Sequence, residues 1–87
     1  MYIFGVEFRY WAVHGGPELD LLVNWKGRRI GFEFKFADAP RMTSMTRQTA
    51  VDLQLHKLWL VYPGDRRYEL GERVEALPLE SLANTLR

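Results

Sequence analysis

The sequence predicts an α/β domain, with a mixed β-sheet built from an N-terminal meander of three strands and from later strands, and with helices packed against that sheet. Apolar and polar residues alternate through residues 18–36, which is the period of β-strands. A helix-like pattern follows in residues 42–53. The continuous apolar run of residues 58–62 is typical of a strand covered on both faces.

Residues 18–36 are predicted to form a β-hairpin. A two-residue turn at residues 26–27 places Asp20 opposite Glu33 on the polar face. The same register places Glu18 opposite Lys35. A four-residue loop keeps this register, whereas a three-residue loop needs a bulge to restore it. The apolar residues then share the opposite face of each arm: Leu19, Leu21, Val23 and Trp25 on the first, and Ile30, Phe32, Phe34 and Phe36 on the second.

The opposed carboxylates of Asp20 and Glu33 are the chemically informative part of this hairpin. Like charges repel when they face each other across a sheet, so such a pair needs a cation between its members or a raised pKa on one of them. Lys35 supplies an ammonium group on the same face. The pair also leaves room for a metal ion.

Residues 2–13 are rich in aromatic and β-branched residues and predict the first strand of the meander. The sequence HGGP at residues 14–17 breaks that strand. His14 is interpreted as a solvated turn residue, with a substrate contact near the carboxylates as the alternative.

A helix is predicted after the proline-containing break at residues 37–41, with Thr43 or Ser44 as its N-cap. Its buried stripe is predicted to hold Met42, Met45, Thr49 and Leu53. Its opposite flank is polar and carries Arg41, Arg47 and Gln48. These three are interpreted either as ordinary surface side chains or as groups that lean over the carboxylate face.

The C-terminal half is predicted to complete the sheet. Residues 58–62 form its centre, residues 66–70 form a short edge strand or an extended loop, and residues 73–77 form a last strand. Pro78 then opens a C-terminal helix, since proline is well tolerated in a first turn. The buried stripe of that helix is predicted to be Leu79, Leu82, Ala83 and Leu86.

Composition limits the class of protein. The chain of 87 residues is predicted to be one domain, residues 1–87, and its 47% of apolar residues make it globular. It has no cysteine, which excludes disulfides and thiolate metal sites and predicts a reducing, cytoplasmic location. A net charge of +1 argues against bulk attraction to nucleic acid or membranes, and no apolar run is long enough for a membrane span. The chain has no GxxxxGK[ST] phosphate loop, so it is not an ATPase by itself.

An acidic residue, 12 intervening residues and then Glu-x-Lys on a hydrophobic strand is the arrangement of PD-(D/E)xK nucleases, which Asp20 with Glu33 and Lys35 resembles. The resemblance implies a magnesium-dependent hydrolase that cleaves or binds DNA or another nucleic acid, with Mg²⁺ or Mn²⁺ as its cofactor. Asp20, Glu33 and the Phe34 carbonyl are the expected metal ligands. Lys35 is expected to orient or help deprotonate the attacking water.

Residues outside the motif fill further roles in this hypothesis. Nuclease folds of this kind usually begin with a helix that carries another glutamate. Residues 2–13 predict a strand instead, which leaves Glu7 or Glu18 as a substitute acid. The expected phosphate contacts are Arg41, Arg47, Gln48, Arg66 and Arg67.

A broader resemblance covers about residues 8–82. The segments that carry it are YWAVHGGPELD (10–20), GFEFK (31–35), ADAPR (37–41), VYPGDRRY (61–68) and EALPL (75–79). They resemble the C-terminal domain of unknown function of bacterial and archaeal AAA-type P-loop ATPases. The resemblance implies a restriction-endonuclease-like fold, here lacking the usual first helix, and an ATPase as a partner.

Two function hypotheses remain open at this point. The first is a metal-dependent nuclease or a nuclease-derived nucleic-acid-binding domain. The second is a non-catalytic interaction module that keeps the fold and serves an ATPase partner or a dimer. A homodimer is predicted because self-association would bury the aromatic-rich residues 2–11.

Overall fold

The computed structural model describes the backbone of residues 2–3, 6–12, 18–36 and 39–82, and the side chains from residue 19 onward within those ranges. Seven strands, one helix and a short 3₁₀ turn lie in the described ranges. In chain order they are β1 (Tyr2–Ile3), β2 (Val6–Ala12), β3 (Glu18–Trp25), β4 (Arg28–Phe34), α1 (Ser44–Asp52), β5 (Lys57–Tyr62), β6 (Tyr68–Gly71), β7 (Val74–Pro78) and the 3₁₀ turn (Leu79–Ser81).

All of these strands form one sheet in the order β1-β2-β3-β4-β5-β7-β6. Successive strands from β1 to β4 pair antiparallel. The predicted first strand, residues 2–13, is divided into β1 and β2. The strands β4, β5 and β7 then run parallel, with β6 antiparallel at the far edge. Parallel neighbours need a crossover connection, and α1 lies in the one between β4 and β5. The predicted α/β class, with a mixed sheet and a helix, is confirmed.

The hairpin of β3 and β4 closes at Lys26 and Gly27, as predicted. These residues have φ values of +50° and +80°. Two successive positive φ values are typical of a type I′ turn, whose twist suits a two-residue hairpin loop. Backbone pairing follows the predicted register from the Trp25 pair at the turn to the Leu21↔Phe32 pair.

A bulge interrupts β3 near its start. Arg9 of β2 pairs with Leu22. Trp11, two residues later on β2, pairs with Leu19, which is three residues earlier on β3. The extra residue reverses the alternation of side chains. Leu19 therefore packs with Leu22 rather than with Val23, and the prediction that placed Leu19 on the Val23 face is wrong.

The face of the sheet beneath α1 carries the larger of two core clusters formed by the described residues. Gly31 allows a close approach here, because a Cβ at this position would lie 2.7 Å from Leu55 Cδ1 and 3.0 Å from Leu19 Cδ1. The buried members of the cluster are Leu19, Leu22, Leu53, Leu55, Leu58, Leu60 and Val74, with Met42, Ala50 and Leu70 packed against them.

The opposite face carries a second cluster, and β5 contributes to both. Every residue of β5 after Lys57 is buried, as predicted for a strand covered on both faces. β4 is the middle strand of the described sheet and β5 lies beside it, so the prediction that residues 58–62 form the centre is wrong by one strand. The buried members of the second cluster are Val23, Phe32, Trp59, Val61 and Leu77, with Leu21, Trp25, Ile30 and Leu82 packed against them.

The helix α1 begins where Thr43 caps it, as predicted. Thr43 Oγ1 accepts a hydrogen bond from the Thr46 N–H at 3.0 Å. Thr46 and Thr49 are buried, and the Thr49 hydroxyl donates to the Met45 carbonyl at 3.0 Å. Met45 itself is 74% exposed, so its predicted place in the buried stripe is wrong. The stripe runs through Thr46, Thr49 and Leu53, because hydroxyls that are hydrogen-bonded within the helix can be buried.

The strands of the C-terminal half begin and end within two residues of their predicted bounds. The edge strand β6 covers residues 68–71, which settles the choice between a strand and an extended loop. The strand β7 is buried along its whole length between β5 and β6. No helix in the described part of the chain has the length and apolar character needed to cross a membrane.

The predicted C-terminal helix is described only at its start. After Pro78 the chain makes the 3₁₀ turn. Leu79 is 52% exposed, so its predicted place in a buried stripe is wrong, because the 3₁₀ turn directs it away from the core. Leu82 packs against the second cluster, as predicted. Ala83 and Leu86 lie outside the described residues.

A charged network lies on the face of the second cluster, where β5 and β7 pair. Glu75 is 6% exposed, and its Oε1 lies 3.2 Å from Lys57 Nζ. Its Oε2 accepts a hydrogen bond from Arg67 Nε. The two cations also lie over the Trp59 ring, with Lys57 at 4.7 Å and Arg67 at 4.9 Å from its centroid. Burial acts to raise the pKa of Glu75, but the bonds and charges of Arg67 and Lys57 outweigh it and lower that pKa.

Replacing Glu75 with Gln is expected to lower the free energy of unfolding by about 1–2 kcal/mol at neutral pH, because two cations lose their charged acceptor. A carboxylate with a lowered pKa stabilises the fold above its unfolded pKa, and this contribution is lost as the pH falls through the folded pKa. The stability difference between wild type and Glu75→Gln, measured by urea unfolding, should therefore shrink on acidification.

The control for this prediction is Glu72→Gln, in the exposed turn between β6 and β7. Its stability should match that of the wild type at every pH. An equal loss in both variants, or a loss in Glu75→Gln that does not change with pH, would contradict the role of the network.

Gly31→Ala is expected to destabilise the fold by about 1–3 kcal/mol, because the added methyl group would overlap Leu55 and Leu19. Leu55→Ala removes one of the overlapping groups. The double variant should therefore lose less stability than the sum of the losses in the two single variants. Urea unfolding of the four proteins measures this cycle, and strict additivity would argue against the close approach at Gly31.

Candidate functional site

The candidate site lies at the end of β4, beside the parallel strand β5. Glu33 pairs with Leu60, a member of the cluster beneath α1, so its side chain is on the helix-bearing face. Lys35 lies on the same face, with its Nζ 3.4 Å from Glu33 Oε1. Their side chains are 24% exposed for Glu33 and 40% exposed for Lys35, so both can be reached from solvent. The predicted common facing of these two residues is confirmed.

Asp20 reaches β4 through its side chain rather than through its backbone. The backbone pairs of β3 and β4 end at Leu21↔Phe32. The predicted next pair, Asp20 with Glu33, is not part of this ladder. The Asp20 carboxylate instead accepts a hydrogen bond from the Phe34 N–H, at 2.7 Å from Oδ2. The prediction of directly opposed positions is wrong, and the bulge beside Asp20 is the physical reason.

The backbone of Phe34 faces Asp20. The Lys35 N–H donates to the Val61 carbonyl of β5 at 2.8 Å. Successive residues of a strand direct their peptide groups to opposite neighbours, so the N–H and C=O of Phe34 point toward β3. The Phe34 carbonyl, a predicted metal ligand, therefore lies on the side of the strand where the Asp20 carboxylate is bound.

The site offers two carboxylates and a main-chain carbonyl as oxygen donors. Asp20 uses Oδ2 for the Phe34 N–H, and Glu33 uses Oε1 for Lys35. Among the described residues, no group of three or more Asp, Glu or His side chains gathers around a common point. A cation at this place would be held by few protein ligands and completed by water or phosphate oxygens, which is usual for Mg²⁺.

For the two predicted accessory acids, Glu7 and Glu18, the structure describes the backbone alone. Glu18 lies two residues from Asp20 on β3. Glu7 of β2 pairs with Asn24, which is about 13 Å from Asp20 along the strand. The register therefore favours Glu18 over Glu7 as an additional acid. His14, the alternative substrate contact, lies outside the described residues.

The predicted phosphate contacts divide between separate places. Arg47 lines a cavity of about 710 Å³ between α1 and the β6–β7 turn. The Gln48 side chain forms a hydrogen bond within α1, where its Nε2 donates to Asp52 Oδ1 at 2.6 Å. The remaining three line a cavity of about 570 Å³ that we call the arginine pocket, and its members are Arg41, Arg66, Arg67, Tyr62, Tyr68 and Asp65 with neighbouring small residues.

The three arginines of this pocket differ in whether their guanidinium groups already have partners among the described residues. Arg67 is bound to Glu75 and stacked on Trp59. Arg41 and Arg66 are exposed, and the salt bridges of the described residues include neither. Arg67 already has structural partners, whereas Arg41 and Arg66 have no ion-pair partner among the described residues. The expected contacts of all three with phosphate stay predictions.

Two tyrosines that the sequence analysis did not select hold the arginine pocket in place. The Tyr62 hydroxyl donates to the Arg66 carbonyl and accepts from the Arg66 N–H at 3.3 Å. The Tyr68 hydroxyl donates to the Pro40 carbonyl at 2.9 Å. Burial and the neighbouring Tyr62 raise the pKa of Tyr68. The sequence signal that could have identified Tyr62 is its position at the end of a buried strand, directly before Pro63. The hydroxyl of a buried tyrosine needs a hydrogen-bond partner nearby.

Comparisons with known proteins place the chain in a family. Residues 2–82 match the model of the family described as domain of unknown function DUF4143. One uncharacterised protein of Mycobacterium bovis and one of Mycobacterium tuberculosis are each 41% identical over 76 residues, which is 87% of this chain and 17% of each relative. No solved structure matches the chain significantly. Because the family model covers residues 2–82, the chain belongs to the DUF4143 family of domains of unknown function.

Proposed function

We propose that this domain is a nuclease-like domain of the PD-(D/E)xK type, which hydrolyses phosphodiester bonds of nucleic acid with Mg²⁺ or Mn²⁺. The observation that supports this most strongly is the 2.7 Å hydrogen bond from the Phe34 N–H to the Asp20 carboxylate. It ties an acid on β3 to the residue between Glu33 and Lys35 on β4. The nuclease resemblance implies this spatial relation of the acid to the Glu-x-Lys strand.

The donor set fits a small, hard cation. Asp20, Glu33 and the Phe34 carbonyl offer oxygen alone, which Mg²⁺ and Mn²⁺ prefer as a ligand. Glu33 is half-buried rather than enclosed, so water and phosphate oxygens have room to complete the coordination. When bound, such an ion lowers the pKa of a bound water and offsets the charge of the phosphate.

In this proposal Lys35 acts on the attacking water and on the phosphate. The Glu33 carboxylate, 3.4 Å away, holds the ammonium group over the helix-bearing face of the sheet. A fixed positive group there attracts an anionic phosphodiester and donates hydrogen bonds to water. The Phe34 N–H meanwhile keeps the Asp20 carboxylate directed at the same strand.

Arg41 and Arg66 supply the phosphate contacts of the proposal. A guanidinium group binds phosphate oxygens through two parallel hydrogen bonds, and such contacts position a nucleic acid without reading its sequence. Tyr62 lines both the arginine pocket and the cleft that Lys35 lines. The arginines therefore lie one strand away from the proposed reacting groups.

A non-catalytic interaction module is the second candidate, and the length of the relatives favours it. The matched region is 17% of each mycobacterial relative, so there this domain is one part of a larger protein. An AAA-type ATPase is the partner proposed from the sequence resemblance, and a homodimer through residues 2–11 is the alternative. The side chains of residues 2–11 lie outside the described residues. In this role the Glu33–Lys35 pair is a surface salt bridge of small effect.

Incubation with labelled DNA and RNA tests the nuclease proposal. Cleavage is expected with Mg²⁺ or Mn²⁺ and should stop with EDTA. It should fall about 100-fold or more in Asp20→Asn and in Lys35→Ala, because a metal ligand and a group that acts on the water are removed. Asp20→Asn keeps an oxygen that accepts the Phe34 N–H, so the variant should retain the fold of the wild type.

The controls for cleavage are Lys26→Gln and Glu72→Gln, which change exposed charges away from the site. Both should cleave like the wild type. Cleavage that survives Asp20→Asn would contradict the assignment of the site. If calorimetry detects no metal binding and no substrate is cleaved, the interaction module is the function that remains.

A further inference from the structure

The carboxyl ends of β4 and β5 carry an apolar surface beside the candidate site. Phe36 is 96% exposed, Leu79 is 52% exposed and Phe34 is 36% exposed. Together with Val61 and Pro63 they line a cleft of about 170 Å³, which we call the aromatic cleft. Exposed apolar side chains gathered in one place mark a binding surface, unlike apolar residues scattered singly.

Positive charge borders the aromatic cleft. Lys35 lines the cleft itself, and Tyr62 lines both the cleft and the arginine pocket. Arg41 and Arg66 in that pocket are exposed and take part in none of the salt bridges of the described residues. Among the described residues that line the pocket, Asp65 is the one with an acidic side chain. The aromatic cleft therefore has cationic groups in its own lining and in the neighbouring pocket.

We propose that the nucleic acid bound at this site is single-stranded, with a base stacked on Phe36 and with its phosphates bound by Lys35 and the arginine pocket. This inference rests on the nucleic-acid role proposed above. A single strand combines flat, apolar base faces with anionic phosphates, and this surface combines exposed aromatic side chains with cationic groups. Stacking on aromatic rings and cations along the backbone are the contacts by which proteins hold single strands without sequence preference.

A duplex fits this surface less well than a single strand. The bases of a duplex cover each other's faces, so Phe36 could stack on one only after that base had been taken out of the helix, at a cost of a few kcal/mol. A protein ligand would bury Lys35, Arg41 and Arg66 without phosphates to match their charge, which is unfavourable unless acidic groups replace them.

Binding without metal tests the inference separately from cleavage. In EDTA, fluorescence anisotropy is measured with a labelled oligothymidylate, a duplex of equal length and an oligomer of abasic deoxyribose phosphates. The wild type should bind the oligothymidylate more tightly than the other two. Phe36→Ala should weaken oligothymidylate binding about 5- to 100-fold and leave binding of the abasic oligomer unchanged, because only the stacked base is lost.

Two further variants separate stacking from charge. Met45→Ala removes another exposed apolar side chain, on α1 and outside both cavities, and should bind like the wild type. Arg66→Ala should weaken binding of the oligothymidylate and of the abasic oligomer alike. The slope of log binding constant against log salt concentration should become shallower by about 1, as expected for the loss of one phosphate contact.

The inference is overturned by equal affinity of wild type and Phe36→Ala for the oligothymidylate, by preference for the duplex, or by no binding of any of the three probes. Binding that depends on Phe36 in a protein that cleaves nothing supports the inference and removes the proposed hydrolysis. Metal-dependent cleavage with binding that is independent of Phe36 keeps the hydrolysis and removes the inference.

Discussion

The hydrogen bonding of β4 depends on the extra residue in β3. A regular strand would direct a main-chain carbonyl at the Phe34 N–H. With the bulge, Leu19 turns into the core beneath α1 and the backbone ladder stops at Leu21. The Asp20 carboxylate then takes the place of the main-chain acceptor. A charged side chain thus satisfies a sheet N–H that needs a partner, and this contact fixes the acid beside the Glu-x-Lys segment.

The parallel part of the sheet brings the remaining groups together. Because β4, β5 and β7 run parallel, their carboxyl ends meet at one edge. Lys35 follows β4, Tyr62 ends β5 and Leu79 follows β7. A lysine, a tyrosine that orders the arginine pocket and an exposed apolar surface therefore become neighbours. Clefts at the carboxyl ends of strands are the usual binding places of open α/β sheets, whereas the Glu75 network on the other face serves to hold β5 and β7 in place.

Local rules are enough to predict the hairpin turn at Gly27 and the cap at Thr43, because each depends on a few adjacent residues. They also predict that Glu33 and Lys35 share a face, since the strand period is short. They fail at Asp20, because the bulge depends on how β2 aligns with β3, and at Met45, because the sheet selects which side of α1 is buried. The pairing of Arg67 with Glu75 joins two strands and has no local signature. Groups that meet across elements are thus the part of the site that the sequence could not predict.

Mn²⁺-induced relaxation of backbone amides in a two-dimensional NMR spectrum tests directly whether a cation binds between Asp20 and Glu33. A paramagnetic ion broadens the nearest amide signals first. Substoichiometric Mn²⁺ is expected to broaden the amides of Phe34 and Lys35 before any on α1, and Asp20→Asn is expected to remove this selectivity. Broadening that begins near Glu72, or that is uniform along the chain, would contradict a metal site at the end of β4.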